Sequence, residues 1–267
     1  MDGKYRTVMV LVLVTLLTGC SAFYQSAQRI DKRVQSQSEL ESGDLRIASS
    51  ALQSGDFTMA MSIYSRLAQS NPGVVAVWMG LGDAHFLQGE FGAANNAYVK
   101  AQQLDPKNID AWLGPARILV RQRNLPEAIA RYQSILTRFP NNSRALSGLG
   151  VSYDLTGEHN QAQSTYRRGL QIYPDDTALR NNLGLSLALD GKPREAINVL
   201  LGTNGVSGKL PQERDNLALA YGMLGRDDAA EDILMSSQSQ DMVQDNLAFY
   251  RYLRQSMGQS GAVDSYE

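Results

Sequence analysis

Cysteine is almost missing from this sequence. Its 267 residues contain one, Cys20, so the chain cannot form an internal disulfide and its fold must rest on a hydrophobic core. Histidine is nearly as scarce: His85 and His159 are the two present, and no Cys/His cluster has the spacing that ligates a metal. No Gly-rich loop follows a strand to cradle a phosphate, and no serine stands in a recognisable triad setting. An excess of charge of one sign is lacking too, with 25 Lys and Arg against 27 Asp and Glu, which argues against nucleic acid as a partner. The chain is therefore read as non-enzymatic, without catalytic residues, metal or bound cofactor. What it has instead is a hydrophobic content of 43%, enough for a sizeable core.

Apolar runs long enough to span a bilayer, about 20 residues, are also missing. One shorter run, Val8 to Leu17, is interrupted by Thr15, preceded by Lys4 and Arg6, and followed by the small residues Thr18 and Gly19, the pattern of an export signal. Leu17-Thr18-Gly19-Cys20 resembles the lipobox of bacterial lipoproteins. The resemblance implies that Cys20 receives a diacylglyceryl group, that the signal peptide 1–19 is removed, and that the new amino terminus is acylated. That covalent lipid would be the one non-protein group, and two or more acyl chains make such an anchor stable. Ser21, in place of aspartate, implies sorting to the outer membrane of a Gram-negative cell, on its periplasmic face. The alternatives are an ordinary signal peptide with an incidental cysteine and an uncleaved anchor, the latter disfavoured by length. Without residues 1–19 the chain has 23 basic and 26 acidic residues. After the lipidated cysteine, residues 20–40 are rich in Ser and Gln and read as a flexible tether spanning roughly 25 Å.

From there the sequence repeats. Alanine recurs every 34 residues at Ala60, Ala94, Ala128, Ala162, Ala196 and Ala230. Four residues later stand Tyr64, Tyr98, Tyr132, Tyr166, Leu200 and Leu234. Five residues before each alanine lie Gly55, Gly89, Gly157, Gly191 and Gly225, with Arg123 the exception, and Pro72, Pro106, Pro140 and Pro174 punctuate the other end. Thirty-four residues is the tetratricopeptide period. "VWMGLGDAHFLQGEFGAANNAYVKAQQLDP" (77–106) resembles a repeat of that family, and the likeness covers about residues 41–244. It implies an all-α fold, a solenoid of about six helix-turn-helix repeats. Beyond the last repeat, residues 241–257 place Val243, Leu247 and Phe249–Tyr250 near one helical face, extended by Leu253 and Met257, and read as a capping helix, so that solenoid and cap together occupy 41–257. Residues 258–267 are expected to form a disordered tail.

The columns have physical reasons. Trp78, Leu81 and His85 share one helical face, and Gly82 admits a neighbouring helix. Gly89 ends the first helix with a left-handed backbone, and Pro106 stops the second. Each pair leaves an apolar face for the next pair to cover. Pro115, in the column of Leu81, Leu149, Leu183 and Leu217, predicts a kink. Gly202, Gly205 and Gly208 interrupt the fifth repeat, so that the loop 202–211 is a hinge, a contact surface or a shortened helix. His85 takes the place of Tyr153 and Tyr221 and is expected in the core, whereas His159, in the turn after Gly157, is expected in solvent. Asp175-Asp176 and Asp227-Asp228 fall at helix starts, where the dipole favours them.

Register also predicts a groove along the first helices of the pairs. Its inner positions are Met79, Asp83 and Phe86, then Leu113, Arg117 and Val120, then Ser147, Val151 and Asp154. Asn181, Leu185, Asp215 and Leu219 follow, and Val151, Leu185 and Leu219, each 34 apart, make an apolar stripe. No lysine stands at these positions, so the lysine-and-asparagine set with which some tetratricopeptide domains clamp a C-terminal carboxylate is not assembled there. Asn182 and Asn216 resemble the asparagine ladders that hold extended peptides, since an amide both donates and accepts. They equally suit bridging between neighbouring helices. The capping helix or the tether filling the stripe is a further reading.

The segments 180–200, 214–234 and 246–254, with the Gly-rich interruption between the first two, resemble the TadD family of tetratricopeptide lipoproteins of the tight-adherence (Flp) pilus system. The resemblance implies an outer-membrane lipoprotein that helps the secretin localise or assemble. The expected partner is thus a protein, the secretin or another pilus-assembly component, with membrane contact through the lipid. The alternative is a type IV pilotin-like lipoprotein, or an envelope scaffold recruiting a protease or cell-wall enzyme.

Overall fold

The structure, a computed structural model, describes residues 42–202 and 211–263. The signal peptide, Cys20, the tether, most of the glycine loop and residues 264–267 lie outside the described residues. Among the described residues there are thirteen helices and no strand. Twelve of them succeed one another two to each 34-residue repeat: α1 (Ser42–Ser54) and α2 (Phe57–Ser70), α3 (Val75–Gln88) and α4 (Phe91–Leu104), and α5 (Ile109–Arg121) and α6 (Leu125–Arg138). The rest are α7 (Ser143–Leu155) with α8 (His159–Ile172), α9 (Thr177–Leu189) with α10 (Pro193–Leu201), and α11 (Pro211–Leu224) with α12 (Asp227–Met235). A final helix, α13 (Gln240–Val263), closes the series. The helices group into two compact units, divided within α7, one ending at Ser152 and the other starting at Tyr153.

The repeat columns are the core. All six alanines of the column are fully buried, and the Tyr or Leu four residues later is nearly so in every case. Asn108, Asn142 and Asp176, again 34 apart, accept a backbone N–H in the first turn of α5, α7 and α9 and so satisfy donors that a helix start leaves open. Gly55, Gly89, Gly157, Gly191 and Gly225 all carry positive φ, and Arg123 adopts the same left-handed turn at φ 61°. That conformation costs a residue with a Cβ about 1–2 kcal/mol.

Within the unit ending at Ser152, the ring of Tyr98 lies between α3 and α5. A Cβ on Gly82 or on Gly114 would come within 2.6 Å or 2.4 Å of it. Trp78 and Trp112 each donate the indole N–H to the carbonyl six residues earlier, at Pro72 and Pro106, at 2.9 and 3.0 Å. Helix α5 runs on through Pro115, the position where the sequence predicts a kink. Proline lacks the N–H that would bond the carbonyl of Ala111, and the side-chain amide of Gln102 on α4 supplies that donor at 2.7 Å.

In the unit starting at Tyr153, Arg180 stands in the tryptophan column and donates to the Pro174 carbonyl, the same junction held by arginine instead of indole. Helix α10 has nine residues where α4 and α6 have 14, and ends at Gly202. Helix α12 is equally short, at nine residues, which the sequence did not signal. Helix α13 buries Val243, Leu247, Phe249 and Tyr250, as expected of a cap. Tyr250 packs on Gly222, and Arg254 reaches the Gly222 carbonyl and Asp227. The helix continues to Val263, past position 257 where the sequence reading ended it.

Candidate protein-binding faces

Register positions 83 and 117 are equivalent, and the structure brings them together. Asp83 on α3 is buried, accepts the Tyr98 hydroxyl at 2.7 Å and lies 3.7 Å from the Arg117 guanidinium on α5. Burial pushes the Asp83 carboxyl up, against the opposing effect of Arg117 and the Tyr98 hydrogen bond. Tyr98 is driven well above the usual phenol range by burial and by Asp83, so it remains a donor. Arg117 also stacks over Phe86 at 4.7 Å, with Arg121 at 5.9 Å. Arg144 on α7 pairs with Asp110 on α5, extending the alternation of charge. The inner face of this unit is thus cross-linked by its own ion pairs.

Burial corrects the predicted lining. Met79, Asp83, Phe86 and Leu113 are packed inside the unit rather than open to a ligand, while Arg117, Val120, Ser147 and Val151 are half-buried. His85 is not a sealed core residue: it is half-buried, with Nδ1 2.6 Å from Glu90 Oε2.

In the second unit Asp154 is a hub. Its Oδ2 accepts the Tyr166 hydroxyl at 2.9 Å, and its Oδ1 accepts Ser186 Oγ at 2.6 Å and lies 2.8 Å from His159 Nδ1. His159 was expected in solvent; the five-residue separation across the turn instead lets it fold back on Asp154, leaving its side chain 22% exposed. The hydrogen bond to Asp154 raises the His159 pKa, with burial opposing, Asp190 assisting and Lys192 opposing. Beside it, Asp190 receives Gln163 Nε2 and Lys192 Nζ at 2.9 and 2.6 Å. Burial works to raise the Asp190 carboxyl, but the bonds from Lys192 and Gln163 lower it on balance. Sequence reasoning missed this network, although the pairing of Asp154 with His159 across Gly157 was visible in principle.

The asparagines bridge helices in a pattern different from the ladder. Asn216 Nδ2 donates to Asn181 Oδ1 at 2.9 Å, joining α11 to α9 one residue out of the 34-residue register that links Asn182 with Asn216. Asp215 accepts Gln238 at 3.0 Å, and Gln238 accepts Asn246 of α13 at 2.7 Å. Burial raises the Asp215 carboxyl, with the Gln238 bond opposing. Leu219 is buried at 4% exposure and so is not an open contact, whereas Leu185, Asn181 and Asn182 are half-buried.

Ser186 and His159 both hang on the Asp154 carboxylate. A serine–histidine–aspartate relay needs the histidine in the middle, touching the serine, and this arrangement does not provide that. Among the described residues no group of three or more His, Cys, Asp or Glu could hold a metal, and no helix is long and apolar enough to cross a membrane.

Tetratricopeptide-repeat family profiles match residues 45–109, 85–150 and 119–183, together more than half of the chain. The chain belongs to the tetratricopeptide-repeat family. Solved structures agree in fold. The Cut9–Hcn1 assembly of the APC/C is 20% identical over 94% of this chain and 53% of its own, with a TM-score of 0.64. A tetratricopeptide protein of Parabacteroides merdae is 11% identical over 94% and 100%, with a TM-score of 0.63. Pseudomonas aeruginosa pilF is 16% identical over 79% and 91%, with a TM-score of 0.57. No curated protein matches the chain by sequence. Tetratricopeptide domains bind protein partners.

Proposed function

We propose that this tetratricopeptide protein is an outer-membrane lipoprotein that holds a component of pilus secretion, the outer-membrane secretin, at the membrane. The observation that carries the reading is the Leu17-Thr18-Gly19-Cys20 lipobox ahead of a repeat domain. The likeness of residues 180–254 to the TadD family supports the choice of partner. The likeness to Pseudomonas aeruginosa pilF is one of fold. Lipid on Cys20 fixes the chain, residues 21–40 give it reach, and Leu185 with Asn181 and Asn182 offers an apolar contact flanked by amides. No chemistry is required. Anchoring both components at one surface raises their effective concentration.

The test is an envelope pull-down with mass spectrometry, comparing wild type with Cys20→Ser in the native cell. The proposal expects the secretin to co-purify with wild type and to lose its outer-membrane placement with the variant. Enrichment of a protease or cell-wall hydrolase, with the secretin untouched, would replace this reading with that of a general envelope scaffold.

A further inference from the structure

The net charge of −2 conceals a concentration of one sign. Residues 107–144 contain six arginines and one lysine against Asp110 and Glu127. Arg117 and Arg144 are spent on Asp83 and Asp110. Arg131 and Arg138 are not: among the described residues neither makes an ion pair, and Arg131 Nε is buried without a hydrogen-bond partner.

Both guanidiniums stand over one ring. Arg131 Cζ lies 5.7 Å and Arg138 Cζ 5.0 Å from the centroid of Trp112, and Arg138 also lies 5.9 Å from Phe139. The indole N–H of Trp112 is committed to Pro106, which holds the ring as a platform. Trp112 and Arg121 are nine residues apart on α5, half a revolution at about 100° per residue, so this face is separate from the Phe86–Arg117–Arg121 cluster. The repeat scaffold does not demand arginine here. Its register equivalents are Ala97 and Thr165 for Arg131, and Leu104 and Ile172 for Arg138.

We infer that the Trp112–Arg131–Arg138 face binds an acidic segment of a partner protein. Stacking on an aromatic ring holds a guanidinium while its N–H edge stays available to a carboxylate, which it takes in a bidentate fork. Both guanidinium carbons lie within 6 Å of the one Trp112 centroid, so they are at most about 11 Å apart, a spacing that two carboxylates one to two helical turns apart can match. A nucleic-acid backbone calls for a longer basic track than two fixed guanidiniums supply. This site is independent of the pilus reading and of the first-helix faces.

The probe is a fluorescein-labelled, alanine-rich helical peptide with two glutamates seven residues apart, read by anisotropy against the full chain. The expected result is saturable binding that weakens with salt, and that falls roughly tenfold on Arg138→Gln or on Glu→Gln in the peptide. Arg138→Lys, which keeps the charge but loses the planar fork, should fall between. Arg138 is exposed, so its variants should melt as wild type does, and Arg131→Gln gives a second check. Four results would overturn the assignment. They are no binding, equal binding of the glutamine peptide, equal competition by a single-stranded oligonucleotide, or concentration-dependent sedimentation abolished by Arg138→Gln, which would make the occupant a second copy of this chain.

Discussion

The side-chain amide of Gln102 stands 2.7 Å from the carbonyl oxygen of Ala111, the acceptor that Pro115 leaves without a donor inside α5. A proline in the middle of a helix ordinarily costs about 3 kcal/mol, part of it for the lost hydrogen bond. A neighbouring helix recovers that part. Gln102→Leu, which introduces the residue type that follows in the same column at position 136, should therefore destabilise wild type by about 1–2 kcal/mol in urea denaturation. In a Pro115→Leu background, where the backbone at position 115 regains its own N–H, the same substitution should cost clearly less. Equal costs in both backgrounds would show that the two residues are not coupled.

Arg123 adopts φ 61° where the equivalent turns have glycine at φ 72–85°. Arg123→Gly removes the Cβ strain and gives back part of the gain as chain entropy. A net stabilisation of about 0.5–1 kcal/mol is expected, seen as a higher melting temperature. An unchanged or lower melting temperature would mean that the arginine side chain compensates for the strain.

His159 has its pKa raised by the hydrogen bond to Asp154. A histidine held above its unfolded value contributes stability in full below about pH 6.5, and loses it as pH rises through the folded pKa. The melting-temperature advantage of wild type over His159→Gln should thus be larger at about pH 5.5 than at about pH 8.5. A constant difference would show that the pair acts as a neutral hydrogen bond throughout.

Gly114 faces the Tyr98 ring, and a Cβ there would lie 2.4 Å from it. Gly114→Ala gains about 1 kcal/mol in helix propensity but overpacks a buried ring, so a net loss of roughly 1–2 kcal/mol is expected. Shortening the ring with Tyr98→Leu should reduce that loss. A Gly114→Ala variant as stable as wild type would show that α3 and α5 have room to separate.

Leu185 and Leu219 share a register column but not a fate. Leu185→Asp, at a half-buried site, should lower partner capture while the protein still folds, whereas Leu219→Asp, at 4% exposure, should unfold part of the unit. Circular dichroism and capture, measured together, distinguish the two. Unchanged capture by Leu185→Asp would remove α9 from the binding face.

The 34-residue columns of alanine, tyrosine, glycine and proline were sufficient to read the six helix pairs, because each column answers a local demand that every repeat makes alike, and the cap was legible from its own apolar face at Val243, Leu247 and Phe249–Tyr250. A fully buried alanine, a left-handed turn and a helix stop depend on the repeat's own backbone, which register fixes. Register also named Asp83, Arg117 and Asp154 as inward-facing. What they meet there was not legible, because a partner 15 or 32 residues away is chosen by side-chain length and by which neighbour is small. Tyr98 finds Asp83, while Tyr166, in the same column, finds an acid one helical turn further along, at Asp154. By itself the sequence determined the period, the fold and the left-handed turn that ends the first helix of each pair. Only the tertiary structure decided which inner-face positions are closed by their own ion pairs, which asparagines bridge, and which arginines are left over, since those outcomes depend on distances between helices that no local pattern encodes.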